Sequence, residues 1–134
     1  DDLTLGPADA SVTIVEALID RSLALDPTFD RGAVHGFLIS YEMIRRTGTG
    51  DAAERARHHY EEAVRLSGGK LASLHLAFAE EVALAKNDKA LFVATCEKAL
   101  AVDVDAEPAW RLQNTLAQRR ARWQLSRLSE LFDD

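Results

Sequence analysis

Breaks in the chain constrain its fold more than any motif does. Gly6-Pro7, Asp26-Pro27, Gly48-Thr49-Gly50, Gly68-Gly69, Asn87-Asp88 and Glu107-Pro108 divide the sequence into segments. Within each segment the apolar residues return at helical spacing. This predicts helices near 8–25, 30–46, 51–67, 71–86, 89–102 and 108–132. No alternating run of Val, Ile and Thr marks a strand, so the expected class is all-α.

The segment ends carry their own signals. Asp51 can cap the third segment, with Glu54 placed to return the bond. Gly68 follows Leu66-Ser67 where a left-handed helix stop belongs. Asp88 can cap the fifth segment, and Pro108 suits the first turn of the sixth, where its missing N–H costs nothing. A chain of 134 residues fits one domain with a single sizeable core.

A repeat is visible in these ends. SLALDP, AVRLSGG and ALAVDVD are the same kind of helix stop, and Leu25, Leu66 and Val102 align at spacings of 41 and 36. Two of the helices leading into them share the alanine and aromatic texture of the second helix in a tetratricopeptide (TPR) hairpin. The period is longer than the usual ~34 residues. The expected architecture is a TPR-like α-solenoid of about six helices in stacked hairpins. Segment 8–25 ends like a second helix without a first before it. This predicts upstream helices or a covering subunit. The opening DDLTLGPADA reads as a mature start whose upstream address has been removed.

Charge and composition exclude several functions. Sixteen Lys and Arg face 22 Asp and Glu, a net charge of −6, which opposes general binding to DNA or anionic lipid. No apolar run reaches the ~20 residues that span a bilayer. The lone Cys96 allows no internal disulfide and reads as a small buried hydrophobe. His58 and His59 are neighbours on a helix, about 100° apart, and make no i,i+4 metal pair. His75, among Leu71, Leu74, Phe78 and Val82, reads as a half-buried histidine with a backbone partner. SGGK lacks the remainder of a phosphate loop and reads as a helix stop. No catalytic constellation, cofactor motif or metal motif emerges, so the chain reads as a non-enzyme.

The last segment concentrates arginine: Arg111, Arg119, Arg120, Arg122 and Arg127. A helical wheel groups Leu112, Leu116 and Trp123 on one side. Ala117, Ala121, Leu125, Leu128 and Phe132 extend that apolar arc. Arg111, Arg119 and Arg122 fall on the polar face with Thr115, Gln118, Ser126 and Ser129. Gln113, Arg120, Gln124 and Arg127 fall inside the apolar arc, where a buried arginine needs a carboxylate or a wet cavity. Two readings stand. In one, Arg120 and Arg127 pair with Glu42, Glu80 or Glu81. In the other, the stripe lines a cavity or interface and holds an anionic group. Without aromatic platforms, and in an acidic chain, it is not a nucleic-acid patch.

Three stretches, GAVHGFLISYEMIRR, HHYEEAVRLSGGKLASLHLAFAEEVAL and LQNTLAQRRARWQLSRLSELF, resemble the T-component of TRAP transporters, the tripartite ATP-independent transport systems. The resemblance covers about 30–132. Its most specific parts are Ser40-Tyr41-Glu42, the Leu66-Ser67-Gly68-Gly69 stop followed by Ala72-Ser73, and Asn114 with Arg120-Ala121-Arg122-Trp123 and Leu131-Phe132. It implies an α-solenoid that serves as accessory partner to a periplasmic solute-binding receptor. It implies a periplasmic, homo-oligomeric lipoprotein whose membrane link is a lipid anchor outside this sequence. It also implies a passage or docking surface for a small organic or anionic ligand. Ligand or pore-lining candidates are Tyr41, Glu42, His75, Asn114, Arg120 and Trp123, in a site expected to be mostly apolar with a few polar anchors. A generic TPR scaffold unrelated to transport is the alternative.

Overall fold

A computed structural model describes residues 14, 17, 18, 21, 33–44 and 50–132. Six α-helices and no strand occur among them: α1 (Ala33–Ile44), α2 (Ala52–Leu66), α3 (Ala72–Phe78), α4 (Lys89–Leu100), α5 (Arg111–Leu125) and α6 (Leu128–Leu131). The segment expected at 8–25 lies outside the described residues, apart from Ile14, Ala17, Leu18 and Arg21, which are helical and exposed.

The sequence-level stops act as read. Asp51 accepts from the Glu54 N–H at 3.2 Å, and Asp88 accepts from the Leu91 N–H at 3.0 Å. Gly68 has φ +67°, and the Gly69 N–H closes a bond to the Val64 carbonyl at 3.0 Å, the left-handed stop that glycine permits. Glu54 does not return the capping bond. Its carboxylate lies 3.9 Å from Arg57 one turn on. Pro108 opens a 3₁₀ turn (Pro108–Trp110) that leads into α5.

Packing follows sequence neighbours: α1 lies on α2, α3 on α4, and α5 on both α3 and α4. Two apolar clusters result. Ile39, Ala53, Ala56, Tyr60, Ala63, Leu74, Phe78 and Val82 form the first. Ala72, Leu76, Ala79, Ala83, Phe92, Cys96, Ala99, Ala117, Ala121 and Phe132 form the second. Helix α3 and its continuation contribute to both, so Leu74, Phe78 and Val82 face one cluster while Leu76, Ala79 and Ala83 face the other. Gly36 lets α1 approach α3, since a Cβ there would meet Leu74 Cδ2 at 2.9 Å.

Two departures from the expected helices matter. Residues Ala79–Ala83 form a π-helical turn, with the Leu84 N–H bonded to the Ala79 carbonyl at 3.0 Å. And the final helix does not run unbroken to 132. The Ser126 hydroxyl donates to the Trp123 carbonyl at 2.6 Å, competing with the helical ladder. After this break the chain turns back and buries Phe132, whose ring meets Phe92 edge-on at 5.2 Å.

Candidate functional site

Helix α1 sets Leu38, Ile39, Tyr41 and Glu42 on one buried face, because i, i+1, i+3 and i+4 share a side. Burying Glu42 is costly unless its carboxylate is paired. Helix α2 supplies the partners one turn apart. Arg55 Nε donates to Glu42 Oε1 at 2.8 Å, and His59 Nε2 donates to Oε2 at 3.0 Å. Arg55 Nη1 also donates to the Gly50 carbonyl at 2.8 Å. Glu42, Gly50, Asp51, Glu54, Arg55, His58 and His59 line a cleft of about 400 Å³. The side chains that line it carry charges of both signs. The Glu42 carboxylate is engaged by two cationic or hydrogen-bonding side chains and is therefore an anchor, not a free base. No three His, Cys, Asp or Glu side chains gather as a metal-ligand set among the described residues.

His75 lies elsewhere, in the first cluster. Its partner is a side chain, not the expected backbone group: Tyr60 Oη and His75 Nδ1 are 2.7 Å apart. Burial pushes the imidazole down to about 4, with Lys98 adding to the shift. Neutral His75 thus accepts from the Tyr60 hydroxyl. Burial also raises that phenol to about 12, so it keeps its proton. The Tyr60 ring stacks on Phe78 at 4.4 Å. This is a satisfied polar pair inside an apolar layer.

Helix α5 keeps only part of the expected wheel: Ala117, Ala121 and Gln124 of its apolar arc are buried, while Leu112, Leu116 and Trp123 are not. Its inward face carries Asn114, Ala117, Gln118, Ala121 and Gln124. Asn114 Oδ1 accepts from the Ala72 N–H at 2.8 Å, and its Nδ2 donates to the Lys70 carbonyl at 2.9 Å. Gln118 Nε2 donates to the Ala99, Leu100 and Val102 carbonyls at 3.1, 3.3 and 2.7 Å. These carbonyls lie at and just past the end of α4, where a helix leaves acceptors without intrahelical partners. Gln124 Nε2 donates to Glu80. The wheel's placement of Gln118 on the polar face is thereby corrected. Its amide is buried because it caps a neighbouring helix.

The placement of Leu112, Leu116 and Trp123 in a buried arc is corrected too. They are 73%, 51% and 51% exposed. Gln113 is also exposed. Arg120 Nε meets Glu80 Oε2 at 2.6 Å, one of the three carboxylates expected for it. Arg127 pairs with Glu130 at 3.3 Å instead of with Glu42, Glu80 or Glu81. Both guanidiniums lie over the Trp123 ring, 5.6 Å and 4.3 Å from its centre. Arg111 pairs with Asp105 at 3.0 Å.

The six candidate residues therefore fall in separate places. Glu42 lines the cleft, and Tyr41 is the buried residue before it on α1. His75 is in the first core cluster, Asn114 ties α5 to the start of α3, and Arg120 with Trp123 sits on the outer side of α5. Sequence reasoning missed Arg55, His59, Gln118 and Tyr60. A signal existed for the first two, since Arg55 and His59 stand at i and i+4 on α2, but nothing local identified Glu42 as their partner.

The family description "TRAP transporter T-component" matches residues 6–132, a span that includes the cleft, the amide face and the outer face of α5.

The chain belongs to the TRAP transporter T-component family.

A similar protein occurs in Treponema pallidum (strain Nichols), 26% identical over 117 residues, which is 87% of this chain and 36% of the relative. The chain thus spans about a third of that relative's length. No helix among the described residues of this T-component is long and apolar enough to cross a membrane.

Proposed function

We propose that this chain is the part of a T-component that docks the solute-binding receptor of its TRAP system. The observation carrying this reading is the family match across nearly the whole chain. The pairing of consecutive helices supports a single TPR-like domain that stacks as an α-solenoid. In this reading the protein works in the periplasm, held to the membrane by a lipid anchor in its full-length form, and self-associates there. Docking is favoured over ligand passage, because Tyr41, Glu42, His75, Asn114, Arg120 and Trp123 do not converge on one apolar pocket. A subsidiary role in holding a small organic ligand is supported by the Glu42 cleft, whose volume lies in the range of small-molecule sites.

The test is calorimetric titration of the full-length protein with the receptor of its own system, with and without the receptor's solute. Saturable binding is expected. A solute-dependent affinity would add a handover role. Absence of binding would overturn the docking reading and favour a generic TPR scaffold.

A further inference from the structure

Leu112, Leu116, Arg119 and Trp123 recur at steps of four, three and four along α5, on the side opposite its buried amides. That step pattern is the seam by which one helix packs against another. Placing large apolar groups outward while burying three amides inverts the usual economy of a helix. The outer face is therefore built for contact, not for the core that the described residues form. Trp123 is also preorganised: Arg120 and Arg127 lie over its ring, and Glu80 and Glu130 hold those guanidiniums in turn. A rigid aromatic flanked by arginine is the side-chain chemistry that dominates binding energy at protein interfaces.

Charge selects the occupant. Arg119 and Arg122 are exposed and form no ion pair among the described residues. Two copies meeting through this same face would bring those arginines together, which opposes a symmetric contact. Two uncompensated cations and three apolar side chains also fall short of the polybasic clusters that hold proteins on anionic membranes. An acidic protein helix meets both requirements at once.

We propose that the outer face of α5 is the receptor-docking surface, and that it takes an amphipathic helix of the receptor whose apolar seam is flanked by Asp or Glu. Leu112, Leu116 and Trp123 form the desolvated centre, and Arg119 and Arg122 form the charged rim. The proposal rests on the docking reading above and names its surface.

The experiment compares full-length wild type with Trp123→Ala, Leu116→Ser and the double variant Arg119→Glu/Arg122→Glu. Receptor affinity is measured at low and high salt, and circular dichroism melts check each fold. Trp123→Ala is expected to weaken binding about thirtyfold. The arginine double variant is expected to weaken it about tenfold at low salt, mainly through slower association, and less at high salt. Wild-type binding that all three folded variants retain overturns the surface and leaves the docking reading standing. No binding by wild type overturns both. Vesicles of phosphatidylcholine and phosphatidylglycerol in equal parts, and sedimentation of the protein alone, complete the test. If the variants lose vesicle binding or self-association while binding the receptor normally, the face belongs to a membrane or a second copy, and the proposal falls.

Discussion

Asn114, on α5, closes two hydrogen bonds with the turn that starts α3: its carbonyl takes the Ala72 N–H at 2.8 Å and its amide gives to the Lys70 carbonyl at 2.9 Å. The side chain is fully buried, so neither backbone group has ready access to water. Replacing it with Ala leaves a buried donor and acceptor unmet. Asn114→Ala should cost about 2–4 kcal/mol, read as a lower urea midpoint at unchanged slope.

His75 makes stability depend on acidity in a definite direction. Its folded-state value is lowered to about 4 from an ordinary 6.5, so below 6.5 the unfolded chain binds the proton that the folded chain refuses. The stability linked to this group is fully present above about pH 6.5 and declines as pH falls toward 4. The full swing is about 3 kcal/mol. A His75→Gln variant should show a flatter stability profile than wild type across that window, measured by urea unfolding at stepped pH. Parallel profiles would refute the assignment.

Glu42 anchors Arg55 and His59 beneath the cleft. Removing the carboxylate strands a largely buried guanidinium. Glu42→Ala should therefore destabilise by about 3 kcal/mol, and Glu42→Gln by less, because its amide oxygen can still accept. Thermal melts of the two variants distinguish an anchor from a surface charge.

Arg120 and Gln124 share Glu80 but not its depth. The Arg120 side chain is largely exposed, so Arg120→Ala should cost less than about 1 kcal/mol. Gln124 is buried, and Gln124→Ala should cost about 1–3 kcal/mol by leaving Glu80 less satisfied. Equal melting shifts in the two variants would contradict this ordering.

Cys96 is enclosed in the second cluster, and burial pushes its thiol up to about 11, with Glu80 and Glu97 adding to the shift. Few thiolates form, and reagent cannot reach them. Iodoacetamide at mildly alkaline pH should leave the native protein unlabelled by mass spectrometry and label it quickly in denaturant.

Each of these outcomes depends on information of a different range. Helix stops were legible because they are local. Asp51, Asp88 and Gly68 act on backbone groups three or four residues away, and their chemistry admits few alternatives. The all-α class followed from the same spacing. The stretch at 71–86 feeds two clusters, so apolar residues fall on more than one of its faces. The π turn at Ala79–Ala83 carries no Gly or Pro to mark it, and Glu80 there meets α5 partners some 40 residues on.

The sequence by itself determined the all-helical class and the caps at Asp51, Asp88 and Gly68, since those choices rest on neighbouring backbone hydrogen bonds and hydrophobic spacing. It also held the family signature. Which side of α5 faces inward was decided only by tertiary structure. A wheel ranks Leu112, Leu116 and Trp123 above Asn114 and Gln118 for burial, because it counts transfer from water and nothing else. Once α3 and α4 stand beside α5, their exposed N–H and carbonyl ends need partners, and a buried amide that supplies them outweighs a leucine that cannot. That demand arises between distant segments, so no local reading of α5 contains it.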